Sequence, residues 1–437
     1  MTQDHKPTLQ HLPWSHQACL YSVNIRQFTP EGTFSAFEAH LPRLKAMGVT
    51  MLWLMPVQPI GQAERKGGLG SYYSIADYTA TNPEFGSLAE FKALVAAAHA
   101  HGMKVLIDWV ANHTAWDHPW VAAHPDWYKK DARGAIHAYT YDNGHELEYW
   151  TDVVGLDYGQ SAVWPAMIDA MRFWLVEADV DGFRCDVAGL VPTDFWVQAR
   201  ASCEQIKPVF MLAEWSDPEL HRQAFDMSYH WVLRDTMTAL AQGRCDVNAL
   251  ARLIEQPDKP FGPDDYRMCF TNNHDINAWI GHDGELYGAA FPAMAVLAAT
   301  WPGMPLIYGG QEAWLDKRLA FFEKDAIDWR DWPLADFYRR LIALKHDSPA
   351  LWNGLSGGPM ALLVHDVNGL FAYRRRKADS QVVVLLNLSN ETRTLPLTLL
   401  DELATCGAPG GPETLEAWSW KIWRDASDWA LQRPALP

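Results

Sequence analysis

The sequence predicts a (β/α)8 (TIM) barrel with a short insertion after its third strand and a C-terminal all-β domain, on three observations. Short apolar runs alternate with amphipathic runs of helical period from about residue 19 to about residue 345. The connection after the third strand-like run is far longer than the others. Beyond about residue 355 the pattern changes to period-two runs separated by Asp, Asn and Gly.

In chain order, the eight strand-like runs are 19–23, 51–55, 104–110, 182–186, 209–214, 225–229, 267–271 and 304–308. Helical runs are expected near 34–47, 88–101, 162–177, 193–204, 231–241, 287–300 and 334–346. The barrel is assigned to 1–114 and 160–352, the insertion to 115–159. Residues 353–437 are read as a β-sandwich with strands at 361–365, 370–375 and 381–387. An open doubly wound sheet is the structural alternative, but no Gly-x-Gly-x-x-Gly follows the first strand.

Bulk properties narrow the function. With 437 residues, 49% hydrophobic and 20% charged, the chain can bury a large core. A net charge of −17 argues against a nucleic-acid partner and an anionic membrane surface, and is compatible with a neutral substrate. Most of the 22 Trp are expected in packing, yet the surplus suits a protein that stacks sugar rings. The six Cys are scattered without ligand-like spacing, so neither a disulfide framework nor a zinc site is expected. The first residues, Met-Thr-Gln-Asp-His-Lys-Pro, contain no apolar run of a signal peptide, which predicts a cytoplasmic protein. The most apolar stretch, 289–308, contains Pro292, Pro302, Gly303 and Pro305. It reads as a buried helix and strand, not a membrane span.

The chemistry collects at strand ends. Within Gly182-Phe-Arg184-Cys-Asp186, residues two apart on a strand share a face, so Arg184 lies beside Asp186. A neighbouring guanidinium favours an ionised carboxylate, the state a nucleophile in sugar chemistry needs. Taken singly, such residues have plainer readings: a strand-end ion pair for Arg184 and Asp186, another ion-pair partner in Asp108, a surface charge in Glu214, a loop cap in His274 and Asp275. Jointly they are harder to dismiss. Asp108 with Asn112 and His113, Asp186, Glu214, and His274 with Asp275 end four different strands, where barrel active sites lie. Tyr73 stands in the loop before the third strand. That many polar groups at a barrel mouth are costly unless paired or working.

These segments resemble, in order and spacing, the α-amylase family, glycoside hydrolase family 13. Asp108-x-x-x-Asn112-His113, Gly182-Phe-Arg-x-Asp186, Glu214 and Asn273-His274-Asp275 resemble its four signature regions, and the resemblance extends from about residue 20 to about residue 328. It implies Asp186 as nucleophile, Glu214 as acid then base, and Asp275 as stabiliser of the distorted ring. It further implies that Arg184, braced by Asp108, keeps Asp186 ionised, that His113 and His274 bond sugar hydroxyls, and that Tyr73 stacks on the sugar. A retaining mechanism needs carboxyls about 5–5.5 Å apart, and adjacent strands lie about 4.8 Å apart, so neighbouring strand ends suit Asp186 and Glu214.

Two departures bear on metal. The resemblance implies a calcium ligand at Asn112, but Gly155 and Leu190 stand where ligating Asp and His are usual. No cofactor is therefore expected to be required. Gly189 also replaces a lysine on the leaving-group side. Val187 after the nucleophile fits α-1,6-acting relatives as well as others, while the segment around Asp157 lacks the Gln-Pro-x-x-Leu-Asn pattern of oligo-1,6-glucosidases. The expected activity is retaining hydrolysis of α-1,4 bonds in maltooligosaccharides or other α-glucans. A glucanotransferase or an α-1,6-acting glucosidase with the same site are the alternatives. A non-catalytic amylase-like binding protein is disfavoured because all three acids are present. Oligomeric state is not legible.

Overall fold

The computed structural model describes residues 9–436 apart from 258, 331, 364–367 and 409. The expectation drawn from Met1 to Pro7 therefore lies outside the described residues, as does the end of the strand expected at 361–365.

Eight parallel strands close into a barrel: β1 (Leu20–Val23), β2 (Met51–Leu54), β3 (Lys104–Trp109), β4 (Gly182–Cys185), β5 (Phe210–Ala213), β6 (Met227–Tyr229), β7 (Tyr266–Cys269) and β8 (Met304–Tyr308). They run in sequence order round the barrel, with β8 pairing back onto β1. All eight coincide with the expected runs. Side-chain alternation sorts two cores. Leu20, Met51, Trp53, Leu106, Phe210, Leu212 and Met268 fill the interior. Leu52, Leu54, Val105, Ile107, Phe183 and Met211 point outward under the helices.

The alternation decides where the chemistry goes. Leu106 points inward, so Asp108 does too, and the register sets Asp108 opposite Arg184 across β3 and β4. Gly182 opens β4 because no side chain fits there: a Cβ would lie 1.9 Å from the Phe210 carbonyl oxygen, and φ is +153°.

Two helices depart from expectation. The run at 34–47 is split into Phe34–Glu38 and Leu41–Met47, because Pro42 lacks an N–H and starts a new helix at its second position. The run at 287–300 is divided too: the helix Asp283–Tyr287 ends at its start, a 3-10 turn Gly288–Ala290 follows, and the helix Phe291–Thr300, again with proline at its start, has all ten residues buried. Among the described residues no helix is long and apolar enough to cross a membrane.

After β3 the chain forms a three-stranded antiparallel sheet with Leu147–Gly155 between His113–Ala115 and Ala138–Asp142. The C-terminal unit is a five-stranded sheet built on Leu370–Lys377 and Ser380–Asn387. One face, with Phe371, Tyr373 and Val384, joins the core of the barrel's helices. The other is covered by the helix Leu397–Thr405, through Leu399 and Leu403, and by a two-stranded ribbon. A helix thus takes much of the layer where a sandwich would have its second sheet. No disulfide forms among the described residues; all six cysteines are free, four of them buried.

Candidate active site

At the C-terminal end of the barrel, one side chain organises the rest. Arg184 is fully buried and ends the inward row of β4. Its Nη1 donates to Asp108 Oδ1 at 2.8 Å and to Asp186 Oδ1 at 3.0 Å. Its Nε donates to the Tyr229 hydroxyl at 3.1 Å. Its Nη2 lies 2.6 Å from Glu214 Oε1, an attraction of charges without hydrogen-bond alignment. The guanidinium carbon also lies over Trp53, 4.9 Å from the ring centre.

Backbone pairing explains why the two carboxyls meet. Asp186 is one residue past β4, its N–H bonded to the Trp109 carbonyl at the end of β3. Glu214 is one residue past β5, its N–H bonded to the Cys185 carbonyl at the end of β4. Glu214 Oε2 accepts from the Val187 N–H at 2.9 Å. Val187 has φ +36°, left-handed for a β-branched residue, which costs on the order of 1–3 kcal/mol and is held here by its surroundings.

Asp275 comes to the same cavity from a longer loop after β7. It precedes a π-helical turn, Ile276–Ile280, started by Asn273, whose side-chain oxygen accepts from the Ile276 N–H at 2.8 Å. Beneath, Asp283 ties Asn272 (3.2 Å) to Gln311 (2.8 Å).

Tyr73, His113, Asp186, Glu214 and Asp275 line one cavity of about 640 Å³. Arg184, and His274 that was expected to bond a sugar hydroxyl, are not among the residues lining it. His274 stacks on Tyr73 at 5.6 Å, with Nε2 2.6 Å from the Tyr73 hydroxyl and 3.3 Å from Asp275 Oδ2. The Tyr73 hydroxyl lies 3.1 Å from Asp108 Oδ2, to which Trp53 Nε1 also donates at 3.0 Å. Tyr73 is therefore pinned from below with its ring facing the cavity.

Burial dominates the ionisation of these groups. It raises Asp186 well above the usual carboxylate range, and the Glu214 charge adds to this while Arg184 opposes it. Burial likewise raises Asp108 to about 6 and Asp275 to about 6, against Arg184 in both cases. His113 and His274 are each lowered to about 3 by burial, so both are neutral imidazoles able to donate and accept. The expectation that Arg184, braced by Asp108, keeps Asp186 ionised meets an opposing influence: burial and the neighbouring carboxyls push the other way, and Arg184 offsets only part of it.

Around Asn112 the residues do not fit a calcium ion. Asn112 Nδ2 lies 3.1 Å from His113 Nδ1. A Cβ at Gly155 would lie 2.6 Å from the Tyr139 ring and 3.2 Å from the Lys129 side chain, so the room for a carboxylate there is taken. Among the described residues no group of three or more His, Cys, Asp or Glu is placed to hold a metal ion.

Residues 17–331 match the model of the alpha-amylase catalytic domain. The chain belongs to the α-amylase family. Its fold superposes on an α-amylase from Lactobacillus plantarum with TM-score 0.79 and 31% identity, covering 94% of this chain and 99% of that one. A noncanonic maltogenic α-amylase from Thermotoga neapolitana gives TM-score 0.74 and 30% identity over 86% and 87% of the two chains. Among curated relatives, the α-amylase MalA of Haloarcula japonica is 29% identical over 88% of this chain. An α-1,4-glucan:maltose-1-phosphate maltosyltransferase of Rhodospirillum rubrum is 31% identical over 73% of it. The chain spans 57% and 49% of those two relatives' lengths.

For this α-amylase-family chain, the sequence did not point to Trp53 or Tyr229, and it singled out Val187 for bond specificity without its contact to Glu214. The first two stand at inward positions of their strands, a signal that strict alternation along β2 and β6 carries. Lys66, Trp150 and Asp152, also in the cavity wall, have no local signature. Of the aromatics after β8, Phe321 and Phe322 line the cavity, whereas Trp329 packs on Phe28 at 4.6 Å and under Arg43 at 4.7 Å.

Proposed function

We propose that the chain is a retaining α-glycoside hydrolase acting on α-1,4 bonds of maltooligosaccharides by double displacement. The observation that carries this reading is one guanidinium in contact with Asp108, Asp186 and Glu214 at neighbouring strand ends. Two carboxyls touching one guanidinium suit the short separation of a retaining pair better than the 6.5–9.5 Å or so that an inverting pair needs for its water.

In this reading the aimed hydrogen bond from Arg184 favours negative charge on Asp186, which attacks C1 of the sugar while Glu214 protonates the departing oxygen. A covalent glycosyl–Asp186 ester results. Glu214, now a carboxylate, takes a proton from water, which attacks C1 and restores both residues with the original configuration. Asp275 stabilises the positive charge that develops on the ring. Tyr73 supplies the stacking face, and neutral His113 bonds a hydroxyl.

Product analysis over time with maltotriose to maltoheptaose tests this. Short products first released in the α-configuration are expected, with Glu214→Gln slower by about 10²–10⁴-fold. Products first released in the β-configuration, or no turnover of any α-glucan, would overturn it.

A second reading is favoured by the maltosyltransferase names among the relatives: a sugar or phosphate, instead of water, would receive the glycosyl group. Early products longer than the substrate, or phosphate-dependent release of a sugar phosphate, would mark it.

A further inference from the structure

The segment between β2 and β3 lies against both flanks of the cavity. On one flank it is bonded to the stretch after β8. Leu69 N–H donates to the Phe322 carbonyl at 2.9 Å and Gly68 N–H to Glu323 Oε1 at 2.6 Å. The approach is close, since a Cβ on Gly67 would lie 2.5 Å from Phe322 Cβ. On the other flank Lys66 Nζ forms an ion pair with Asp152 Oδ1 at 2.9 Å. Asp152 belongs to the insertion strand Leu147–Gly155, and its carbonyl accepts from Ser74 Oγ at 3.0 Å. A second tie runs from Gln62 N–H to Asp117 Oδ2 at 2.7 Å. The segment's own shape is held by the Arg65 guanidinium on the carbonyls of Ile60 and Gly61.

Residues 62–69 are thus a strap tied on one side by the N–H groups of Gly68 and Leu69 and on the other by the Lys66–Asp152 ion pair and the Gln62–Asp117 bond. Lys66 and Asp152 both line the cavity that holds the three acids. The Asp152 carboxylate is 6% exposed and the Lys66 side chain 33% exposed, so the pair is part of the wall with one cationic face left wet.

The strap's side of the cavity has a chemical meaning. In the hydrolase reading Glu214, one residue past β5, protonates the departing oxygen, which puts the leaving chain on the β4–β5 side of the cavity. There Trp215 packs so closely on Gly189 that a Cβ would lie 2.1 Å from its ring. The strap runs directly into Ser71 and Tyr73, and all of Lys66, Ser71, Tyr73 and Asp152 line the same cavity. In the hydrolase reading Tyr73 stacks on the retained sugar, so the strap stands on the side of the non-reducing end.

Resting on the hydrolase reading above, we propose that the Lys66–Asp152 pair closes the glycone end of the cavity, so that the enzyme acts from the non-reducing end of maltooligosaccharides. An α-glucan that continues past the wall is excluded, because its next residue would have to displace a buried carboxylate and its partner.

The test uses two maltoheptaosides with the same chromogenic group at the reducing end. One has free non-reducing 4- and 6-hydroxyls, the other has them tied in a cyclic acetal. Wild type is expected to cleave the free sugar and to leave the blocked one at least about tenfold slower. Lys66→Ala, and independently Asp152→Ala, are expected to raise the blocked-to-free rate ratio and to spread the product lengths. A wild-type ratio near one overturns the closed end while leaving the hydrolase intact. Wild-type discrimination unchanged in both folded variants, checked by their melting curves, overturns the role of this pair. No cleavage of the free sugar sinks the hydrolase reading, and the inference with it.

Discussion

Arg184 is the residue on which the site depends, and its burial defines what its loss would do. It is the cation in contact with Asp108, Asp186 and Glu214, and each acid has a further reason to stay put: Trp53 for Asp108, the Trp109 carbonyl for Asp186, the Val187 N–H for Glu214. Replacing Arg184 by Met would leave those carboxyls together without a counter-charge, a change of the kind that costs about 3–5 kcal/mol in a buried pair. The carboxyls would then hold their protons more tightly, and Asp186 would ionise only at higher pH. Arg184→Met should lower kcat/KM by about 10²-fold or more and move the acid limb of its pH profile upward. Arg184→Lys, which keeps the charge but not the fork, should lose activity with less movement of the acid limb. Equal acid limbs in all three proteins would sink this account. The Arg-x-Asp pair was legible in the sequence because strand alternation alone makes it. Its coupling to Glu214 and Tyr229 was not, because those contacts cross strands.

Among the elements, β4 is the one whose sequence leaves least freedom. Gly182 accepts the carbonyl of Phe210 where any side chain would stand, and the residues after it carry Arg184 and Asp186. Gly182→Ala should destabilise by about 3 kcal/mol or more, since the obstacle is backbone on a neighbouring strand. Gly134 serves as the control. It also has positive φ (+83°) but nothing within 4 Å, so Gly134→Ala should cost only about 1 kcal/mol. Urea melts of the two variants check this, and equal losses would contradict it. The split of the helix at 34–47 has a similar local cause in Pro42, which was visible and could have been used. The π-helical turn after Asp275 could not have been read, since its shape is set by Asn273, Asn272 and the distant Gln311 through Asp283.

Across the whole molecule, the two ends of the barrel do different work. Opposite the cavity, His11 stacks on Tyr266 at 3.9 Å and bonds Asp226 Oδ1 at 3.0 Å and the Asp264 carbonyl at 2.8 Å. Asp226 also accepts from Arg200 at 2.7 Å and from the Met211 N–H, tying the N-terminal segment to the start of β5 and β6. Burial lowers the His11 pKa, but the Asp226 hydrogen bond and charge, with Asp264, outweigh it and raise it above the ordinary 6.5. His16 and His221 also face this group, and Asp265 bears on it from the loop before β7. A raised folded-state pKa means that the stabilisation is fully present below about pH 6.5 and is lost as pH rises through the folded value. His11→Gln should therefore lower Tm more at about pH 5.5 than at about pH 8.5. A loss that grows with pH would refute the assignment.

By itself the sequence determined the barrel, its eight strands, the insertion, the C-terminal sheet and the set of acids at the strand ends. All of these follow from local signals: period two, period 3.6, and polar residues where apolar runs stop. The tertiary structure alone decided that Arg184 joins carboxyls from three strands, that His274 lies behind Tyr73, that Tyr139 and Lys129 take the room beside Gly155, and that Lys66 meets Asp152. These contacts join residues far apart in the chain, through side chains whose partners no local pattern names. Closing the barrel is what brings them within reach.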